Sequence, residues 1–199
     1  MTWSVLGVDQ SPTSTGWAHL AKDGTRPIWG MKKLDSWTDN EGERLWEWMN
    51  WLGDLCRKKQ VTHLFLENTF APEDHHETLT NKIGQYGLIG MGDMVRFLLG
   101  TEGQHIAFRL VASGQWRPVF IGTERAPKFV AARLRRQWLK DRAVAACLER
   151  GWVVENDNMA DALGIMNFGC MTIDPVYATR QGPLFRRQEL VVERIMREG

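Results

Sequence analysis

The sequence predicts an α/β domain with a central five-stranded mixed sheet flanked by helices. The first third alternates short apolar stretches with polar turns, which is typical of a three-stranded meander. Beyond it, two more strand-like stretches each follow a segment whose apolar residues recur at helical spacing, and only helices come after them. That order of strands and helices fits a single sheet covered by helices.

The first four strands and the first helix are set by apolar spacing. The meander strands are predicted, with an Asp-Gly hairpin signal between the second and the third, at residues 3–10, 17–22 and 27–34. From Glu43 to Lys59 the apolar residues recur at helical spacing, which predicts an amphipathic helix. Val61 to Glu67 is almost continuously apolar, which predicts a strand buried on both faces.

The second half is mostly helical. A helix from about Leu79 to Leu99 carries glycines at 84, 87 and 90, roughly on one face, where either the sheet or a second subunit can approach closely. The remaining elements are a strand, a short helix, a basic helix and a last core helix, predicted at residues 105–111, 114–122, 129–150 and 157–171. We therefore expect a domain over residues 1–171 and an appended C-terminal arm over 172–199.

Composition narrows the class of protein. The 199 residues suit one domain, and 43% hydrophobic residues are enough for a full core. No run of about 18 apolar residues occurs, and a strand begins by Trp3, so we expect no membrane span and no signal peptide. Three widely spaced cysteines argue against disulfides and a zinc site, and predict a cytoplasmic location.

Three acidic segments far apart in the chain have the character of one metal site. Asp9 and Glu67 each stand where an apolar strand ends, and Asn158 and Asp161 lie three residues apart on an apolar helix. A carboxylate at a buried strand end is unfavourable unless something pairs with it. If the first and fourth strands are neighbours, Asp9 and Glu67 lie side by side, and converging oxygen ligands suit Mg²⁺ or Mn²⁺.

Each acidic residue also has an ordinary structural interpretation. Taken alone, Asp9 equally fits a turn residue, and Asp161 equally fits a charge near a helix N-terminus. The three segments together, with their flanking pattern, favour the metal site.

Over roughly residues 3–170 the chain resembles the RuvC family of Holliday junction resolvases, most of all its phage-type branch. The resemblance is carried, in order and at suitable spacing, by Asp9 with Thr15-Gly16-Trp17-Ala18, Glu67 with Phe70, Lys82-Ile83-Gly84-Gln85, Trp116-Arg117, Arg125-Ala126-Pro127-Lys128 and Asn158-Met159-Ala160-Asp161-Ala162-Leu163. It implies a ribonuclease-H-like fold.

The resemblance also implies a ligand set. Asp9, Glu67 and Asp161 match the metal-binding carboxylates of the family, and its fourth position falls on Asn158, where the best-studied members have Asp. An amide oxygen can bind a metal but brings no negative charge. Asp157 is next to Asn158, but neighbours on a helix point about 100° apart, which makes it a poor substitute.

Basic residues and one aromatic residue complete the implied site. Arg117 and Lys128 match positions that are basic in the family near the scissile phosphate, and Lys128 is also a candidate catalytic residue. Phe70 matches an aromatic that intrudes at the junction crossover, and either this role or packing on the core fits the sequence. Further candidate DNA contacts are Lys82, Arg125 and Arg133, and residues 116–150 carry nine basic against three acidic side chains.

The predicted function is a metal-dependent endonuclease that resolves Holliday junctions and other branched DNA by paired symmetric nicks. The resemblance implies two Mg²⁺ ions per site, with Mn²⁺ as a substitute, and the two nicks imply a homodimer. Three alternatives stay open: a less selective phage nuclease that cuts flaps and forks, a catalytically weak junction-binding protein, and an RNA-processing nuclease of the same fold.

Overall fold

A computed structural model describes residues 2–11, 13–34, 40–68 and 79–180, with the backbone alone over residues 79–83. It contains five strands: β1 (Ser4–Asp9), β2 (Ser14–Ala21), β3 (Ile28–Lys33), β4 (His63–Asn68) and β5 (Ala107–Ala112). They form one sheet in the order β3-β2-β1-β4-β5. The meander pairs are antiparallel, whereas β1, β4 and β5 run parallel. The predicted five-stranded mixed sheet is confirmed.

Helices cover both faces of this sheet. They are α1 (Glu41–Lys58), α2 (Leu79–Thr101), α3 (Ser113–Ile121), α4 (Arg135–Leu148), α5 (Asp157–Ile173) and α6 (Pro175–Arg180). One buried cluster joins α1 and α2 to one face of the sheet, and the other joins α3, α4 and α5 to the opposite face. No helix in the described ranges is long and apolar enough to cross a membrane.

Side chains next to two helices fix where those helices begin. The Asn40 carboxamide oxygen accepts hydrogen bonds from the backbone of Gly42 and Glu43 at the start of α1. The Asn156 carboxamide does the same for Met159 at the start of α5. Such caps satisfy backbone donors that the first helical turn leaves unpaired. The cap at Asn156 sets the first turn of α5, which carries part of the candidate site.

Glycines in the first two strands let α5 approach the sheet closely. A Cβ atom on Gly7 of β1 would lie 2.4 Å from the backbone nitrogen of Met166, and one on Gly16 would lie 2.1 Å from the carbonyl oxygen of Asn158. Neither neighbour can move without moving the helix backbone. These two contacts therefore fix the position of α5 across β1 and β2.

We expect Gly7→Ala to destabilise the protein by at least about 2 kcal/mol, because the added methyl would push α5 off the sheet. The matched control is Gly53→Ala in α1, where the nearest atom to the new methyl is the flexible end of Arg57, 3.4 Å away. Alanine favours a helix over glycine by up to about 1 kcal/mol, so the control should be at least as stable as wild type. Urea denaturation measures both, and equal midpoints for the two variants would contradict this account of α5.

Two expectations from the sequence are wrong in detail. The basic helix does not start at residue 129: a backbone bond from Val130 to Pro127 closes a turn, a 3-10 turn follows at Ala132–Leu134, and α4 begins at Arg135. At Gly87 the glycine face of α2 meets α1 rather than the sheet or a second subunit, since a Cβ there would lie 2.9 Å from Leu45. At Gly90 a Cβ would meet nothing within 4 Å, so a second subunit stays a prediction there.

The first residues of the predicted C-terminal arm contact the domain. The Trp3 indole donates a 2.9 Å hydrogen bond to Asp174 and packs edge-on against Tyr177 of α6. The Tyr177 hydroxyl in turn donates to the buried side chain of Asn167. These contacts attach α6 to β1 and α5, and the boundary at residue 172 stays a prediction.

Candidate active site

Strand alternation directs Asp9 and Glu67 to the same face of the sheet. In β1, Val5 belongs to the cluster under α5, whereas Leu6 belongs to the cluster under α1 and α2. Asp9 is four residues beyond Val5, and Glu67 is two beyond Phe65, which also lies under α5. Side chains two residues apart share a face of a strand. Both carboxyl groups therefore project towards α5.

Strand order brings these two residues side by side. β1 and β4 are parallel neighbours, and Val8 is paired with Leu66, so Asp9 and Glu67 come next in register. The first and fourth strands are thus neighbours, which is the condition that the sequence analysis set for a shared site. The charge of Glu67, second only to burial, raises the pKa of Asp9, which indicates that the two carboxyl groups lie close together.

Gln10 holds the two strand ends together, a role that the sequence analysis missed. Its side chain accepts a 3.1 Å bond from the Glu67 backbone nitrogen and donates a 2.6 Å bond to the Glu67 carbonyl oxygen. The residue is 2% exposed. Gln10 thus continues the pairing of β1 with β4 through its side chain and fixes the backbone that carries Glu67.

Asp161 approaches the same point from α5. It lies one turn into the helix and interacts electrostatically with both Asp9 and Glu67. The structure therefore brings together the three carboxylates that the sequence singled out. In the described part of the chain, however, no three His, Cys, Asp or Glu side chains already stand as a complete metal-binding group.

Burial and mutual repulsion change the acidity of this cluster. Burial, followed by the charges of Glu67 and Asp161, raises the pKa of Asp9 well above its ordinary value. Burial, followed by the charge of Glu67, raises the pKa of Asp161 to about 7, while Arg117 opposes the rise. Both groups therefore resist ionisation until a cation compensates their charge.

Helix α3 supplies two groups at the edge of the cluster. The buried Trp116 indole donates a 3.3 Å hydrogen bond to a carboxylate oxygen of Glu67. The Arg117 guanidinium lies 5.3 Å from the centre of the Trp116 ring and lowers the pKa of Asp161. Arg117 is thus close to the carboxylates, as the sequence analysis expected of a phosphate contact.

The first turn of α5 carries Asn158 and Asp157. The Asn158 amide nitrogen donates to the Ser14 hydroxyl at 2.9 Å and to the Ser14 carbonyl oxygen at 3.3 Å. Burial raises the pKa of Asp157, but the hydrogen bond and charge of Lys140 outweigh burial and bring it below its ordinary value. Asp157 also acts electrostatically on Asp9 and Asp161.

The remaining candidate DNA contacts lie in different parts of the chain. Arg125, Lys128 and Arg133 are exposed in the segment between α3 and α4. Lys82 is in the first turns of α2, and its side chain lies outside the described residues, as does the whole of Phe70. Phe129, which the sequence analysis placed in a helix, is in the turn beside Lys128 and is 88% exposed. Its position next to Pro127 and a cluster of cations was the available signal.

Several solved structures have the same architecture. RuvC of Thermus thermophilus in complex with a Holliday junction substrate matches with a TM-score of 0.64 at 16% identity, over 86% of this chain and 94% of that one. A second T. thermophilus RuvC structure matches with a TM-score of 0.61 at 17% identity, over 85% and 96%. The chain has the RuvC fold.

A yeast mitochondrial protein has a similar fold. The yeast mitochondrial Holliday junction resolvase Ydc2 matches with a TM-score of 0.53 at 14% identity, over 92% of this chain and 83% of that one. No protein-family model and no curated protein sequence matches the chain. The predicted fold class, a central five-stranded mixed sheet flanked by helices with a ribonuclease-H-like fold, is confirmed.

Proposed function

We propose that this protein is a divalent-metal-dependent endonuclease that resolves Holliday junctions and other branched DNA by paired symmetric nicks. The observation that carries the proposal is the convergence of Asp9, Glu67 and Asp161 at one end of the RuvC sheet. Solved structures with this fold include a Holliday junction resolvase, and one of them holds a Holliday junction.

The donor set fits magnesium. Its members offer oxygen atoms, which Mg²⁺ and Mn²⁺ prefer over the sulfur and nitrogen ligands of softer metals. The raised pKa values of Asp9 and Asp161 indicate negative charge that lacks a counter-ion. Asp9, Glu67 and Asp161, with Asn158 at the edge, would hold two ions. When bound, such ions supply an activated water and neutralise charge on the phosphodiester.

The protein side chains have separate tasks in the proposed reaction. Gln10 and Trp116 orient Glu67, one through its backbone and the other through its carboxylate. Arg117 would bind the phosphate that undergoes hydrolysis, and Lys128 would contact the same backbone from the turn after α3. Water adds to phosphorus, the bond to the 3′ oxygen breaks, and that oxygen takes up a proton. The products are a 3′ hydroxyl and a 5′ phosphate.

The surface between α3 and α4 is the proposed DNA contact. Arg125, Lys128 and Arg133 are exposed there, with Phe129 projecting among them. Cations of this kind bind the DNA backbone without reading sequence, and an exposed aromatic can stack on an unpaired base. Phe70, which follows β4 in the chain, and Lys82, near the start of α2, remain proposed contacts. The phage-type branch and the cytoplasmic location also stay predictions.

A homodimer would supply the two sites that paired nicks require. The exposed face of α2 has Tyr86, Met94 and Phe97 at helical spacing, and a Cβ at Gly90 between them would meet nothing within 4 Å. An apolar stripe with room for close approach suits a two-fold helix contact. We propose that this stripe joins two copies of the chain.

Phe97→Asp should convert the dimer into a monomer, because two buried carboxylates would face each other across the two-fold axis. Size-exclusion chromatography with light scattering would report a fall from twice the chain mass to the single-chain 22.9 kDa. Phe129→Asp introduces the same change at another exposed phenylalanine, and it should leave the dimer intact. A wild-type protein that is already monomeric would rule out this interface.

Cleavage of a panel of substrates tests the proposed function. The panel contains a synthetic four-way junction, a fork, a flap and a linear duplex, each labelled on every strand in turn, with Mg²⁺ and then with Mn²⁺. Nicks at matched positions in two opposed strands of the junction would support resolution. Equal cutting of forks and flaps would favour the less selective nuclease, binding without cutting would favour the junction-binding protein, and a preference for RNA would favour the RNA-processing enzyme.

A further inference from the structure

An exposed aromatic ring stands on a fixed turn between α3 and α4, at residues 127–130. Phe129 is 88% exposed, the largest exposed fraction of any large apolar side chain in the described part of the chain. The Val130 backbone nitrogen donates a 3.0 Å bond to the Pro127 carbonyl oxygen, and the Arg135 guanidinium donates a 3.1 Å bond to the Val130 carbonyl oxygen. Pro127 also fixes its own φ angle. The backbone of the turn is therefore held in place, while the ring that it carries faces solvent.

The chain after α3 runs back towards the carboxylate end of the sheet. A Cβ on Gly114, in the first turn of α3, would lie 3.1 Å from a carboxylate oxygen of Glu124, so Glu124 packs against the start of that helix. The same helix end lies beside Glu67, because Trp116 donates a hydrogen bond to the Glu67 carboxylate. Phe129 follows Glu124 by five residues, which span at most about 18 Å. A DNA strand advances about 3.4 Å per nucleotide, so the ring and the carboxylates are within several nucleotides of each other.

Residues 125–137 share this surface and contain no acidic residue. Their exposed cations are Arg125, Lys128, Arg133, Arg135 and Arg136. This charge attracts a polyanion, and an aromatic ring among cations is typical of surfaces that bind unpaired nucleotides. A second copy of this chain would bring the same cations to a two-fold contact and be repelled. The charge therefore favours nucleic acid as the occupant of this surface.

We propose that Phe129 stacks on an unpaired base of branched DNA, and that this contact, rather than the cations, selects branched over linear DNA. This assignment rests on the proposed function and specifies how the same site chooses its substrate. Inside a linear duplex both faces of each base are covered by its neighbours, whereas a branch point breaks the stack. The cations contact phosphates that every DNA carries, so they add affinity without this selection. The turn is fixed before binding, so little backbone entropy is lost when the ring meets a base.

Binding of labelled DNA to the full-length protein in EDTA tests this selection without cleavage. Phe129→Ala should weaken binding to a synthetic four-way junction about 5–150-fold, the range for loss of one base stack. Its affinity for a linear duplex of the same length should change by less than about twofold. Leu134→Ala is the matched control: it shortens another apolar side chain of the same segment, 51% exposed, and should leave both affinities within about twofold of wild type. Phe129→Trp should keep the selection, because an indole also stacks on a base.

A duplex with a single-nucleotide bulge identifies the bound group. Wild type should prefer this duplex over a fully paired one, and Phe129→Ala should lose that preference. Arg133→Ala should instead weaken binding to the junction and the duplex by the same factor, and lower the slope of log affinity against log salt by about one. Because Phe129 is exposed, its replacement should shift the melting temperature by less than about 2 °C, so the comparison is between folded proteins.

Three results would overturn the role of Phe129: equal losses on junction and duplex, no loss on either, or a loss on the junction without one on the bulged duplex. A lower mass of Phe129→Ala than of wild type in light scattering would also overturn it, because a second copy would then cover the ring. Matched nicking of the junction by wild type would leave the nuclease intact in all these cases.

The opposite result is equally distinct. Selective binding that depends on Phe129, by a protein that cuts no substrate in the panel, would overturn the nuclease and leave the stacking contact standing. No binding of any DNA by the wild-type protein would overturn both.

Discussion

Asp9→Asn should reduce nicking of a four-way junction by about three orders of magnitude, equivalent to about 4 kcal/mol of transition-state stabilisation. Asn keeps the shape of the side chain but removes a negative oxygen at the point where β1, β4 and α5 meet. Initial rates on a labelled junction with Mg²⁺ would measure the loss. The rates must be compared for samples with the same fraction of folded protein, because Asp9 also contributes to the packing.

Stability separates this effect from misfolding. Burial raises the pKa of Asp9 well above its ordinary value, so the ionised side chain destabilises the metal-free protein. Asp9→Asn should therefore be at least as stable as wild type in EDTA. The control is Asp23→Asn, an exposed residue in the turn after β2, at the opposite end of β1. Nicking by Asp9→Asn at the rate of this control would exclude Asp9 from the reaction.

The ends of the strands could be predicted because their signal is local. An apolar run that stops on a carboxylate marks both the strand and the residue at its tip, as at Asp9 and Glu67. The helix α1 returns the chain so that β4 can run parallel to β1, but their adjacency was only a condition in the sequence analysis, and the strand register shows it. Two of the proposed ligands, Asp9 and Glu67, were found in this way, whereas Asp161 was found on the apolar helix α5.

Contacts between remote segments were not predictable from the same signals. Gln10 follows β1 as an ordinary polar residue, and only the position of β4 gives it two backbone partners. The ion pair between Lys140 of α4 and Asp157 at the start of α5 is another such contact, and neither segment alone indicates it.

The start of α4 was predicted too early because a helical pattern of residues continues through a turn that precedes the helix. Apolar and basic residues continue at suitable spacing from residue 129, which suggested one long helix. Pro127 begins a turn closed by Val130, and the Arg135 side chain donates to the Val130 carbonyl oxygen. That backbone leaves Lys128 and Phe129 exposed rather than on a helix. The same turn creates the surface proposed to contact DNA.

The metal-free protein should lose stability as pH rises from about 4 to about 7. The pKa of Asp161 is about 7 in the folded chain against an ordinary 3.8, and that of Asp9 is also raised. The folded state therefore binds more protons than the unfolded state in this window, and their release on raising the pH favours unfolding. Asp161 keeps some exposure, so we expect roughly 1–2 kcal/mol, or about 2–8 °C in melting temperature.

Two histidines change the pH dependence of stability in the opposite direction, and their contribution must be subtracted. Burial lowers the pKa of His19 to about 4 and lowers that of His63, so both contribute stability as pH rises. Asp161→Asn retains both histidines. It loses one carboxyl group whose pKa is raised, and it removes the repulsion between that group and Asp9. The difference in melting temperature between wild type and Asp161→Asn, measured in EDTA from pH 5 to pH 8, therefore isolates the acidic cluster.

Magnesium should restore the stability that is lost at high pH, where the carboxylates are ionised. At pH 8, Mg²⁺ should raise the melting temperature of wild type because the ion binds the folded state only. At pH 5 the same concentration should have little effect, since protons already occupy the cluster and compete with the metal. Asp161→Asn should respond weakly at both pH values. An equal response of wild type and variant at pH 8 would mean that the ion binds elsewhere, because the repulsion that it relieves is greatest where both Asp9 and Asp161 are charged.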